Sequence, residues 1–306
     1  MSHPETASGR RGPPFLIVLV ALLAAVIFGS LFRTQTHEPA LRTLLLVGEA
    51  VAGAAAVACA FRRRSRLPVV AGALALLLIA GTGAWIGADS PSLTWFGAIV
   101  SHGDRHVRTV ALTFDDGPNV STTLRVRDIL DGHGVKGAFF TVGKALDARP
   151  DITRALLADG QLVADHSYNH DYVRWLDPWY HELAHAQASF RRQLHTCPAF
   201  FRPPHGQHTP LMALAVHTRH MTMVGWDVSA GDWATTDASL VARRVLARVR
   251  PGSVIDLHDG LDGRVDVNRS VLTRALPLIL DGLDRKGLKV VRLDALLRRA
   301  GYLAAC

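Results

Sequence analysis

The chain has 306 residues, of which 49% are hydrophobic and 20% charged, and its mean hydropathy is +0.17, which excludes a disordered polymer. Three cysteines exclude a disulfide framework and a cysteine-rich zinc module, because either needs a dense set of thiols at short intervals; a bound metal has to be held by His and carboxylate. The net charge of +8 is uneven: residues 1–88 carry +5 and the remainder only +3, too dilute for a nucleic-acid footprint.

Three apolar runs open the chain, Phe15–Phe32, Leu44–Phe61 interrupted by Glu49, and Leu67–Ala88. Each approaches the ~20 residues that a helix needs to cross a bilayer core. Arg10 and Arg11 precede the first run, Arg33 and Arg42 with Glu38 form a sparse first loop, and Arg62, Arg63, Arg64 and Arg66 separate the second run from the third. The positive-inside bias puts the N-terminus and the Arg62–Arg66 loop in the cytoplasm, so an odd number of spans delivers everything after Ala88 outside the cytoplasmic membrane. A cleaved signal peptide competes for the first run, but two further runs follow it. Glu49 lies near the start of its run, where it reaches the interface. The expected organisation is a membrane anchor of three transmembrane helices over 1–88, with the lipid bilayer as partner, a linker over 89–104 and a globular domain over 105–306.

From about Arg105 the pattern becomes short β-branched or apolar runs separated by longer amphipathic stretches. Strands are predicted at Val107–Phe114, Gly137–Val142, Leu162–Asp165, Ala199–Arg202, Met221–Trp226, Ser253–Leu257 and Lys289–Arg292, with helices between them at Thr123–Asp131, Ile152–Asp159, Trp179–Leu194, Ala238–Arg248 and Ser270–Lys286. Strand and helix alternating in this way predict an α/β fold with a parallel sheet, curled into a distorted (β/α) barrel of about seven strands. Chemistry in such a barrel belongs at the C-terminal ends of the strands.

The motifs fall there. The first predicted strand ends in Thr113-Phe114-Asp115-Asp116-Gly117-Pro118-Asn119 and the third runs into Asp165-His166-Ser167-Tyr168-Asn169-His170. Adjacent carboxylates can face one a metal and the other a water; two imidazoles four residues apart converge if the segment turns. Two His and one Asp make a facial ligand set with a position left for water. Three weaker elements follow in order, Arg202-Pro203-Pro204-His205-Gly206, Trp226-Asp227-Val228-Ser229-Ala230-Gly231-Asp232-Trp233 and Asp256-Leu257-His258-Asp259. An acidic turn, a pair of surface histidines or a buried Asp-Trp would each be ordinary; their joint order is not.

The ordered set resembles the polysaccharide deacetylase family, the NodB-homology domains of carbohydrate esterase family 4, over roughly Arg105 to Leu297. The resemblance implies a distorted barrel and the removal of acetyl groups from a polysaccharide; the expected anchor, which would keep the site near the wall, favours an N-acetylglucosamine polymer, peptidoglycan or a chitin-like oligomer, with O-deacetylation, an exopolysaccharide or a lipid-linked sugar as alternatives. The resemblance also implies Asp115 as catalytic base, Asp116, His166 and His170 as metal ligands, Arg202 as the group orienting Asp115, and Asp232 as partner of the general acid His258. It further implies the His205 backbone N–H as oxyanion donor and Trp233 with Leu257 as the lining of the acetyl pocket. Zn2+ is the expected ion, and Co2+, Ni2+ or Fe2+ suit the same ligands. No obligate protein partner is evident.

Three positions depart from the family's pattern: His205 where Tyr is usual, Ser229 where Asp is common, and Asp256 where Leu is expected. A non-catalytic glycan-binding protein on the same barrel is the alternative reading, against which the full set of seven site residues speaks. His181-Glu182-Leu183-Ala184-His185 also matches the HExxH pattern of zinc proteases. The chain has four Glu, none after Glu182, and lacks the Gly and third His of the other protease class, so this segment reads as the polar side of a surface helix. Cys59 reads as packing within a span. Cys197 and Cys306 lie in the oxidising compartment on this topology, where either a disulfide or free thiols are open to them.

Overall fold

The computed structural model describes residues 67–171, 177 and 179–305. The chain divides into two units, Met1–Ala84 and Trp85–Cys306. The first two apolar runs lie outside the described residues; the third forms helix α1 (Leu67–Asp89). Among the residues whose side chains are described, no helix is long and apolar enough to cross a membrane.

In the second unit the elements run β1 (Ile99–Val100), β2 (Thr109–Asp115), α2 (Thr123–Gly132), β3 (Ala138–Thr141), α3 (Gly143–Ala148), α4 (Pro150–Ala158), β4 (Leu162–Asp165), α5 (His181–Leu194), β5 (Phe200–Phe201), α6 (Pro210–Thr218), β6 (Thr222–Val224), β7 (Val228–Ser229), α7 (Ala238–Arg248), β8 (Val254–His258), α8 (Ser270–Arg285), β9 (Lys289–Val290) and α9 (Leu293–Leu297). The strands form one parallel sheet in the order β1-β6-β5-β4-β3-β2-β8-β7, with β9 added to β2. All seven predicted strands are present, several of them shorter than expected. The two additional strands, β1 and β7, have two residues each, too few to leave a periodic signal. The helices α3, α6 and α9 were not anticipated either; α3 and α9 have six and five residues, less than two turns.

The expected linker is part of the barrel. Ile99 and Val100 pair with Met223 and Val224 on β6, Ile99 is buried, and His102 bridges to Ser253. One two-residue ladder and a bridge suffice to recruit the segment, and its Ser, Gly and Asp content conceals them.

Side-chain alternation explains where the site sits. On β2, Val110, Leu112 and Phe114 face the helices and join a core with Val126 and Leu130 of α2, Val241 and Val245 of α7 and Leu272, Leu276 and Ile279 of α8. Phe114 stacks on Phe139 at 4.9 Å. Each such buried side chain contributes about 1.5–3 kcal/mol. The other face carries Ala111 with Ala138, Phe140, Leu162, Ala164 and Val254, closed by Leu293 and Leu296 of α9. Along this inner face the residues turn polar toward the strand ends: Ala111, Thr113, Asp115 on β2 and Val254, Asp256, His258 on β8, in register with one another. Apolar residues fill the barrel at one end and leave the other to chemistry. Loop geometry is set locally, with Asp237 capping α7 through Leu240 N at 2.9 Å and Thr209 capping α6 through Met212 N at 3.2 Å.

Candidate active site

Asp116, His166 and His170 come together at the ends of β2 and β4, their ligand-type atoms within 4.8 Å of one another and all three residues buried. Asp116 Oδ1 stands 3.0 Å from His170 Nε2 and 3.5 Å from His166 Nε2, and it is buried without a hydrogen bond. The remaining ring nitrogens point away: His166 Nδ1 lies 2.9 Å from the Arg202 carbonyl and His170 Nδ1 lies 3.4 Å from Asp262 Oδ1. Both Nε2 atoms and a bare carboxylate oxygen therefore converge, and this donor set fits a divalent cation of the zinc type. Burial, the largest single influence, would raise Asp116, but the charge of His170 together with the neighbouring imidazoles of His166 and His258 outweighs it and holds the carboxyl well below the ordinary carboxylate range. Against burial, Asp116 and then Asp262 push His170 up to about 9.

The backbone here is unusual. Asp116, Ser167, His170 and His205 have φ of 74°, 64°, 56° and 58°, a left-handed region costing about 1–3 kcal/mol for a residue with a Cβ. Surrounding contacts hold them there. Asp262 N donates to Asp116 Oδ2 at 3.1 Å, and His170 N donates to Ser167 Oγ at 3.1 Å.

A second cluster handles protons. Arg202 is fully buried; its Nη1 donates to Asp115 Oδ1 at 2.6 Å and to Thr113 Oγ1 at 2.9 Å, and its Nη2 to the Gly225 carbonyl at 3.2 Å. The guanidinium lies 4.0 Å from the Phe140 ring centre, a cation–π contact in place of water. Asp115 Oδ2 faces His166 Nε2 at 3.6 Å, so the two clusters adjoin. On β8, His258 Nδ1 lies 2.9 Å from Asp232 Oδ1, while His258 N donates to Asp232 Oδ2 at 3.1 Å. Burial opposes charge on His258, yet Asp256 and then Asp232 push it up to about 10. The structure thus brings together Asp115, Asp116, His166, His170 and Arg202, with Asp232 and His258 on the neighbouring strand end.

Other expected residues are placed differently. Leu257 pairs with Phe114 and belongs to the core between sheet and helices, so the structure does not bring it to the site. Alternation puts Asp256 on the inner face instead, 3.4 Å from Arg202 Nη1; burial, with Asp115 nearby, pushes its carboxyl up to about 7. Ser229 lies opposite Asp256 in the β7–β8 ladder. Trp233, on the short turn Asp232–Ala234, is 43% exposed. The His205 ring packs edge-on against His170 at 4.6 Å, and burial, then the His170 charge, push it down to about 3.

Sequence reasoning missed Arg269 and Asp262. Arg269 Nη2 donates to Asp232 Oδ2 at 2.6 Å and its Nε to the His258 carbonyl at 3.1 Å, anchoring the pair from beyond β8. Neither residue belongs to a recognisable string; only the loop returning from β8 brings them in. The HExxH segment forms the start of α5, as expected of a helix, but its two histidines do not converge on a metal. His181 is exposed and meets Asp177 at 2.7 Å, and His185 stacks on Tyr168 at 3.5 Å. Glu182 is buried. Cys197 is disulfide-bonded; Cys59 and Cys306 lie outside the described residues.

Comparison with known proteins agrees with this geometry. The family model described as polysaccharide deacetylase matches residues 102–224. A chitooligosaccharide deacetylase of Bradyrhizobium sp. is 31% identical over 192 residues, 60% of this chain and 88% of the relative. A peptidoglycan-N-acetylglucosamine deacetylase of Bacillus cereus is 29% identical over 189 residues, 61% and 67% of the two chains. The crystal structure of the Bc1960 peptidoglycan N-acetylglucosamine deacetylase superposes with a TM-score of 0.62 at 26% identity, covering 66% of this chain and 94% of that one. BA3943 of Bacillus anthracis, a CE4 family pseudoenzyme, shares the fold at a TM-score of 0.59 and 22% identity, over 67% and 71% of the two chains. Fold alone therefore does not decide activity, and the side chains at the strand ends carry the argument. On those residues and these relatives, the chain belongs to the polysaccharide deacetylase family and is a polysaccharide N-deacetylase by class.

Proposed function

We propose that the chain is a metal-dependent hydrolase that removes N-acetyl groups from an N-acetylglucosamine polymer, peptidoglycan or a chitin-like oligomer, on the outer side of the cytoplasmic membrane. The observation that carries the reading is the adjacency of a bare Asp-His-His donor set to a carboxylate gripped by a buried arginine. Asp116, His166 and His170 would hold the ion, for which zinc is the best match. When bound, such an ion polarises an acyl oxygen and acidifies water.

The chain's own groups do the rest. Asp115, gripped and oriented by Arg202, takes the proton from the attacking water. The His205 backbone N–H meets the developing oxyanion. His258 presents Nε2, since Nδ1 is committed to Asp232, and delivers a proton to the departing amine. Acetate and a free amino sugar result. Asp115 and His258 are Cα partners across the β2–β8 ladder, which places base and acid on one face of adjacent strands.

The names of the two relatives support a glucosamine-polymer substrate. Three apolar runs and the arginines between them support a multi-pass anchor with its N-terminus inside, which would hold the enzyme beside the wall. The test is acetate release by the full-length, zinc-loaded chain from peptidoglycan and chitopentaose side by side. The reading expects release that disappears in His166→Ala; release that persists in that variant overturns it.

A further inference from the structure

The second half of the two-histidine loop is held by residues that its motif does not include. Asn169, directly before His170, is bound on three sides. Its backbone N–H donates to Glu182 Oε2 at 2.6 Å and its side-chain Nδ2 to Glu182 Oε1 at 2.9 Å. Its carbonyl accepts from Lys144 Nζ at 2.8 Å. That carbonyl belongs to the peptide joining Asn169 to His170, whose N–H donates to Ser167 Oγ at 3.1 Å. The peptide plane is thus fixed at both ends, and it precedes a residue with φ of 56°. Charged partners make the stronger kind of hydrogen bond, and Glu182 is only 6% exposed, so water competes little. The two charges come from separate helices, Lys144 from α3 and Glu182 from α5. The same helices supply further bonds to the loop and its base: Gly143 N and Lys144 N donate to the Ser167 and Tyr168 carbonyls, both at 2.9 Å, and Gln187 Nε2 donates to Asp165 Oδ2 at 2.8 Å.

We infer that Glu182 and Lys144 form a charged clamp on Asn169 that holds His170 in its left-handed conformation and so sets the affinity of the Asp116–His166–His170 site for its cation. The inference rests on the metal reading proposed above. Both are positioning residues: neither belongs to the Asp116–His166–His170 donor set, and each acts through the Asn169–His170 peptide. The glutamate of the HExxH string thereby serves a metal site other than the one that string suggests. Without the clamp the peptide is free to rotate toward the ordinary right-handed region, carrying Nε2 away from Asp116.

The experiment is a zinc titration of the full-length chain, stripped of metal, against a chromophoric chelator, with the Co2+ absorption spectrum as a second readout and thermal unfolding of the metal-free protein as a fold control. Loss of an outer partner of a metal ligand typically weakens binding about 10–100-fold. Glu182→Ala and Lys144→Met are each expected to weaken zinc about 10-fold and to alter the Co2+ bands. Combined, they should cost less than the product of the two, because they hold one peptide. Glu182→Gln keeps the shape but turns a donor toward a donor, so it should fall between wild type and Glu182→Ala; it decides the matter if the alanine variant does not fold. His181→Ala, one residue away and exposed, should bind zinc as wild type does. Wild-type affinity and cobalt spectrum in a folded Glu182→Ala or Glu182→Gln protein overturn the clamp alone. A wild-type chain that takes up neither ion overturns the metal reading and the clamp with it.

Discussion

The two halves of the site differ in how completely their polar atoms are satisfied. Around Arg202 and Asp232 most polar atoms are answered, the buried Arg202 Nε excepted: Arg202 meets Asp115, Thr113 and Gly225, and Asp232 meets the ring and backbone of His258 together with Arg269. Around Asp116 the reverse holds. A buried carboxylate oxygen accepts no hydrogen bond, two Nε2 atoms face it, and Asp116 and His170 sit at positive φ. A densely bonded network fixes where protons reside, which suits a base and an acid; a bare carboxylate oxygen faced by two imidazoles, held open by its surroundings, suits a ligand of opposite charge. The contrast explains why the proton-handling half reaches into neighbouring strands while the metal half is built from two short motifs.

The contrast breaks first at Asp115. Asp115→Asn should lower kcat by about 10²–10⁴-fold while a zinc titration remains as in wild type; loss of both together would mean that the two halves are one network. Asp232→Asn comes next and should move the alkaline limb of the kcat–pH profile to lower pH. Its wild-type partner His258 is pushed up to about 10 in the folded chain against an ordinary 6.5. A raised folded value adds stability that is fully present below about 6.5 and is lost as pH rises through about 10. The wild type should therefore lose unfolding free energy over that alkaline interval, and Asp232→Asn should flatten the loss.

Leu257→Ala sharpens the reading of β8. As a core residue it should cost about 2–5 kcal/mol of folding stability, read by denaturant unfolding, and leave KM close to wild type; a KM effect without a stability effect would return Leu257 to the acetyl pocket. Asp256→Leu is a smaller change. It removes a second carboxylate from Arg202 and restores the family's residue, so kcat/KM for an N-acetylated chito-oligomer should rise several-fold, on the order of 1 kcal/mol. Smallest of all, His181→Ala should leave acetate release unchanged, because its imidazole is exposed and meets Asp177.

How much was legible beforehand follows from the range of each interaction. The metal ligands and their neighbours sit in contiguous strings at strand ends, so Asp115, Asp116, His166 and His170 could be named from residue order and the resemblance it carried. Arg202, Asp232 and His258 were equally visible, since each stands in its own motif. Arg269 and Asp262 were not, because an arginine or an aspartate in a polar loop has no signature, and only the turn after β8 carries them back over the site. Glu182 was visible but misleading: a helix start with two histidines matches a protease string, whereas its carboxylate is spent on Asn169. Boundaries failed where elements were too short, at β1 and β7.

Residue order and period were enough for the α/β alternation, the parallel sheet and the side of the sheet ends on which chemistry must lie, because strand and helix patterns are local and the motifs are contiguous. Which face each β8 residue takes was settled by the register against β2, which turns Asp256 and His258 inward and Leu257 outward. Pairing register depends on two strands more than a hundred residues apart, and a shift of one position exchanges the faces. The same long-range packing brings Arg269 to Asp232 and Glu182 with Lys144 to Asn169: contacts between distant segments are made by the fold, and they decide how rigidly the locally encoded motifs are held.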